Sequence, residues 1–324
     1  MPLKTAFTGL LSIAHPVVCA PMMPEAGAAL AAAVSNAGGL GLVAGGSGDP
    51  ERLEPEIALL VERTTKPWGV GFITWAVTRQ RIQQALGHRP PVVMLNFGDP
   101  SPYANLVHEA GSLLIVGVTD LEEARQAVAV GSDVIVAQGG EAGGHGGRRA
   151  TLPFVPAVVD LVAPTPVLAA GGIADGRGLA AALVLGAAGA LLGTRFLATP
   201  EALIAPWRAK AVVEGRGEET ERGRVADLVR EGGAEWPPKW AVRTIRNAAV
   251  EQWSGREKEL EAELEANAVT REAYYRAAAD GDPSVAAVLA GEAIDLITDI
   301  VPAAELVGRI VSQAEVALET AGHV

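Results

Sequence analysis

A chain of 324 residues with 26 Lys plus Arg against 38 Asp plus Glu carries a formal charge of −12, so it lacks the electrostatic pull of a nonspecific nucleic-acid or anionic-membrane binder. Its 49% hydrophobic and 20% charged residues are the balance of a folded chain, not a disordered one. Cys19 is the single cysteine, which excludes an intrachain disulfide and a thiolate zinc cluster and implies a reducing cytoplasm.

In chain order, the opening MPLKTAFTGLLSIA sets Lys4 before an apolar stretch, but no A-x-A site follows, so an export leader is not expected. Val17–Ala20 reads as a first short strand, ended by Pro21 and followed by Met22, Met23 and Pro24. The alanine-rich Ala26–Ala37 reads as a helix closing at Gly38-Gly39. Strands two to five are expected at Leu40–Ala44, Trp68–Thr74, Val92–Leu95 and Leu113–Val116, separated by helices at Pro55–Thr64, Arg79–Leu86 and Tyr103–Ala110. Thr119 or Asp120 caps a further helix through Val130, with Glu122 and Glu123 in its first turn, where carboxylates favour the positive end of the dipole.

Val134–Ala137 is β-branched and apolar on both faces, as a buried parallel strand is. Pro153–Leu161 leads to a seventh strand at Val167–Ala170, and the helix Gly178–Leu185 to an eighth at Ala190–Leu192. Ala180–Leu192 is apolar but broken by Gly186 and Gly189, and shorter than the ~18 apolar residues of a membrane span. Eight short apolar strands, each followed by a helix candidate, are the repeat of a (β/α)8 TIM barrel; a doubly wound sheet leaves the last two strands unused. Beyond Phe196 the chain turns rich in Arg and Glu, Trp236-Pro237-Pro238 breaks it, and the glutamates of Glu257–Ala266 read as a solvated helix face. After Pro302, Val307, Ile310, Val311, Ala314 and Leu318 form one helical stripe. The expected division is a barrel over 1–208 and 286–324, with a helical cap, 209–285, inserted before the last barrel helix.

In such a barrel the ligand-facing residues lie at the C-terminal strand ends. There, Gly171-Gly172 and Gly193-Thr194 follow strands seven and eight, and their backbone N–H groups with the Thr194 hydroxyl suit a phosphate. Gly39–Gly46 does not make a dinucleotide fingerprint, because its glycines precede or begin a strand. The sixth strand runs into Gln138 and then a glycine-rich loop that presents His145. An imidazole there acts as a general base or holds an anionic substrate. A metal role is not expected: His15, His88 and His108 have no ligand spacing with His145, and His323 lies at the far terminus.

Taken together, A-P-M-M at Ala20–Met23, G-G-L-G at Gly38–Gly41, Q-G-G-E-A-G-G-H at Gln138–His145, A-A-G-G-I-A-D at Ala169–Asp175 and G-T-R-F-L-A-T-P-E at Gly193–Glu201 resemble the nitronate monooxygenase family, formerly called 2-nitropropane dioxygenases. The resemblance spans the barrel and implies one FMN in it. Pro21, Met22 and Met23 would lie along the flavin, Gln138, Gly143 and Gly144 beside it, and Gly171, Gly172, Leu191, Leu192, Gly193 and Thr194 at its ribityl phosphate end. His145 would be the catalytic base. Many members have asparagine at the end of strand three where this chain has Gly71, a departure that bears on substrate more than on flavin.

The activity so implied is oxidation of alkyl nitronates with O2 to a carbonyl compound and nitrite, by a cytoplasmic enzyme that binds neither nucleic acid nor membrane and can form a homo-oligomer. Two rivals stand beside it. One is an NAD(P)H-dependent flavin reductase of the enoyl-acyl-carrier-protein or quinone reductase kind, which shares the glycine–histidine loop. The other is a non-catalytic barrel binding a phosphate-bearing ligand.

Overall fold

The computed structural model describes residues 3–230, 235–267 and 269–322, so His323 lies outside it. The strands are β1 (Val17–Cys19), β2 (Leu40–Gly46), β3 (Trp68–Ile73), β4 (Val92–Asn96), β5 (Leu113–Val118), β6 (Val134–Gln138), the three-residue β7 (Gly144–Gly146), β8 (Val167–Ala170) and β9 (Gly189–Leu192). All but β7 pair in parallel in the order β1-β2-β3-β4-β5-β6-β8-β9, and β9 closes on β1 with Val18 opposite Leu191. The (β/α)8 barrel expected from the strand repeat is thus the observed fold.

Alternation along each strand divides two layers. Val18, Leu40, Leu42, Val92, Met94, Ile115, Val134, Val136, Leu168, Ala170 and Leu191 fill the barrel interior. Val70, Phe72, Val93, Leu95, Ile135 and Ala169 face the surrounding helices. The residues Ala6–Leu11 form a helix whose Phe7 and Leu11 join the interior cluster at its N-terminal end. Thr5 caps this helix and donates to the Ala188 carbonyl at 2.6 Å, pinning the plug below β9. The final helix, Ala303–Ala321, buries Ala303, Leu306, Val307, Ile310, Val311 and Ala314, with Leu318 packed at the edge, and completes the outer ring.

The insert before that helix is not helical throughout. Thr220–Gly223 (β10) and Ala241–Ile245 (β11) pair antiparallel, and β11 pairs with β7 by setting Val242 opposite His145. The glycine loop after β6 is therefore the third strand of the insert's own sheet. This strand was invisible to periodicity, since Gly-His-Gly has none. The insert has its own core of Val225, Leu228, Val229, Val242, Trp253, Leu260 and Tyr274. The helix Pro206–Glu214 runs across the expected 208/209 boundary. No helix of the described residues is long and apolar enough to cross a membrane.

Candidate active site

The C-terminal mouth of the barrel brings the expected site residues together pairwise. A Cβ built on Gly71 would overlap the Pro21 ring, reaching Pro21 Cβ at 2.5 Å. One built on Gly193 would lie 3.5 Å from Met22 Sδ, and one on Gly143 2.9 Å from Thr194 Oγ1. The Thr194 hydroxyl accepts the Gly291 N–H at 3.0 Å, which leaves its own proton to donate. Gly171 and Gly172 have φ of +96° and +71°, and this left-handed turn brings Gly171 against the Gly139 carbonyl. Two residues stand apart. The Leu192 side chain packs outward with Val17 and Cys19, so only its backbone faces the mouth, whereas Leu191 points inward. Met23 is 42% exposed, its sulfur lying over Gly46.

Gly71 has a structural cause. Pro21 already fills the space a side chain would need, so the position where the resemblance leads one to expect asparagine is closed here. Gly71→Ala is expected to cost ~1–3 kcal/mol by overpacking. Thermal unfolding measures it, and a variant as stable as the parent would show that Pro21 yields.

His145 stands in β7 with its side chain 9% exposed. Its backbone is held from three directions: Val242 pairs with it, Gln138 Nε2 donates to its carbonyl at 2.7 Å, and Arg222 donates to the flanking Gly144 and Gly146 carbonyls at 3.0 and 3.3 Å. Gln138 therefore steadies the glycine loop that carries His145, a job distinct from the flavin contact the resemblance implies. Arg222 also reaches the Gly140, Ala142 and Ala241 carbonyls. Burial, with Arg243 alongside, pushes its guanidinium down to about 10. Arg243 donates to the same Gly140 carbonyl at 3.1 Å.

The imidazole is fixed as firmly as its backbone. Its Nε2 lies 2.9 Å from Asp227 Oδ1, and Trp236 stacks on its face with ring centroids 3.4 Å apart and an interplanar angle of 6°. Phe97 and Trp75 meet that indole edge-on, and Trp240 packs edge-on against Phe97. The segment carrying Trp236 is tied to the barrel where Lys239 meets Asp120 and Glu123 at 2.8 and 2.7 Å and Trp240 donates to Glu123 at 3.2 Å. Burial pushes the His145 imidazole below its ordinary 6.5, the bond to Asp227 opposes this, and Arg230 and Arg222 add to the lowering.

Asp227, Trp236 and Arg222 were not expected from the sequence, because each lies in the run that broke the barrel repeat. A signal for Asp227 is present: it is one acid inside Val225-Ala226-Asp227-Leu228-Val229, and an acid carried into a core by such a run needs a partner there. Arg195, within the G-T-R-F motif, does not face the mouth; it is buried and paired with Asp299 at 2.7 Å. His88, just past the helix Arg79–Leu86, pairs with Glu54, and His108 pairs with Asp133, just before β6.

The sequence model of the family described as nitronate monooxygenase matches residues 4–77 and 72–313. The chain belongs to the nitronate monooxygenase family. A nitronate monooxygenase of Neurospora crassa is 33% identical, with 92% of this chain and 89% of that one aligned. A (3aS,4S,5R,7aS)-5-hydroxy-7a-methyl-1-oxo-octahydro-1H-indene-4-carboxyl-CoA dehydrogenase of Mycobacterium tuberculosis is 40% identical over 63% of this chain, an alignment spanning 58% of that relative's length. FabK from Thermotoga maritima superposes with a TM-score of 0.85 at 31% identity, covering 99% of each chain.

Proposed function

We propose that the protein is an FMN-dependent nitronate monooxygenase that oxidises alkyl nitronates with O2 to a carbonyl compound and nitrite. The observation that carries this reading is a buried imidazole, clamped between Asp227 and Trp236, over a barrel mouth lined by the residues the family resemblance assigns to flavin. The inner layer supports FMN: Pro21 lies over Gly71, the Asn96 amide over Gly117, and Ala170 is small, with Asn96 and Gln138 as the polar members of this floor. Gly171, Gly172, Gly193 and Thr194 would hold the phosphate by backbone N–H groups and one hydroxyl, since Arg195 is turned away. When bound, FMN supplies the electron acceptor and the route to O2.

The chain's own residues supply the rest. His145 takes the α-proton of a neutral nitroalkane or positions a preformed nitronate. The Trp75, Phe97, Trp236 and Trp240 cluster keeps water from that face and presents aromatic surface to an alkyl chain. Because burial holds the imidazole below 6.5, its neutral, proton-accepting form persists to more acidic pH. The acid limb of kcat/KM for a nitroalkane is expected below pH 6.5; a limb above that value would contradict the assignment.

The dehydrogenase relative favours a second reading, an NAD(P)H-dependent flavin reductase. The absorption spectrum of the purified protein tests for flavin, and anaerobic mixing with NADH or NADPH separates the two. Rapid bleaching supports the reductase; an unbleached flavin supports the monooxygenase. A protein with no flavin spectrum and no uptake of FMN would overturn both.

A further inference from the structure

Resting on His145 as the base, we propose that Asp227 is a positioning residue that holds the imidazole in the tautomer protonated at Nε2, so that Nδ1 is the nitrogen that accepts the substrate proton. Asp227 lies in the short helix Val225–Leu228 of the insert, with its side chain 2% exposed and apolar neighbours on both sides. A carboxylate so buried needs donors. Its Oδ1 finds two, His145 Nε2 at 2.9 Å and Arg230 Nη2 at 3.0 Å. A guanidinium can only donate, and a carboxylate beside it can only accept, so the imidazole contributes its N–H. A neutral imidazole has one such proton, and placing it on Nε2 leaves the Nδ1 lone pair free for proton transfer.

The rest of the site explains why a carboxylate is needed. The loop backbone is fixed by Val242, Gln138 and Arg222, and the ring plane by Trp236. None of these touches a ring nitrogen. Rotation of the ring by half a turn, or transfer of the proton to Nδ1, would preserve all four contacts and lose only the bond to Asp227. The base is thus completed by a residue of the insert, 82 positions along the chain.

Nitrogen NMR tests this directly. In protein labelled with 15N-histidine, with His145→Asn identifying the His145 signals, the parent is expected to show a protonated, pyrrole-type Nε2 and a pyridine-type Nδ1 at pH 8. Asp227→Asn, whose amide offers either an acceptor or a donor, should mix or reverse that pattern, and Asp227→Glu should restore it in part. A protonated Nδ1 in the parent, or an Asp227→Asn spectrum identical to the parent's, would overturn the inference. The parent spectrum decides even where a variant does not fold. Activity reports separately on the reading beneath: Asp227→Asn is expected to lose nitroalkane turnover by on the order of 10²-fold while keeping nitronate turnover. The expected tautomer with undiminished nitroalkane turnover would sink the base assignment and leave the positioning role standing.

Discussion

Replacing His145 by Asn is expected to cut kcat/KM for a neutral nitroalkane by ~10²–10⁴-fold, the usual worth of a positioned general base, while oxidation of the preformed nitronate survives. Asparagine keeps a polar group under Trp236 and a possible donor to Asp227, but it cannot take a proton at neutral pH. A nitronate has already lost the proton in question, so it bypasses the step. The comparison within one variant also separates chemistry from folding damage, which would depress both substrates alike. Nitroalkane oxidation at the parental rate in His145→Asn would show that the imidazole is not the base.

Arg222→Met is expected to be the most destabilising single change in the insert, by roughly 3–5 kcal/mol, because several charge-assisted hydrogen bonds of about 1.5–3 kcal/mol each disappear at once. The carbonyls of Gly140, Ala142, Gly144, Gly146 and Ala241 all converge on this guanidinium. Methionine matches its length and none of its donors. The glycine loop has few side chains of its own to hold it, so its order depends on that convergence. Denaturant unfolding measures the stability loss, and amide exchange across Gly139–Gly147 should accelerate. A loss under about 1 kcal/mol would show that water satisfies these carbonyls as well as Arg222 does.

The barrel was legible because strands buried on both faces must be apolar throughout, and Val134–Ala137 or Val167–Ala170 leave little room for another assignment. His145 was legible for a different reason, since glycines crowded around one imidazole suggest a loop built for contact. What lay hidden was whatever depends on pairing across the chain. Thr-Glu-Arg-Gly at β10 and Gly-His-Gly at β7 carry no strand alternation, because main-chain bonds and Arg222, not an apolar face, hold that sheet. Asp227 belongs to His145 only after the insert folds back over the mouth. Trp236 read as part of a break at Pro237-Pro238, although its indole stacks on the imidazole. The charged helix Glu257–Ala266 was read as solvated, and its one buried residue is Leu260. Gly71 read as a departure from the family pattern that bears on substrate, and the packing of Pro21 gives it a steric meaning as well.

The most direct test of the account is oxygen uptake by the FMN-loaded protein given an alkyl nitronate, with nitrite measured in the same vessel and no nicotinamide present. Oxygen consumption accompanied by nitrite is the predicted result. Neither oxygen uptake nor nitrite, from a protein whose flavin is bleached at once by NADH or NADPH, would contradict it.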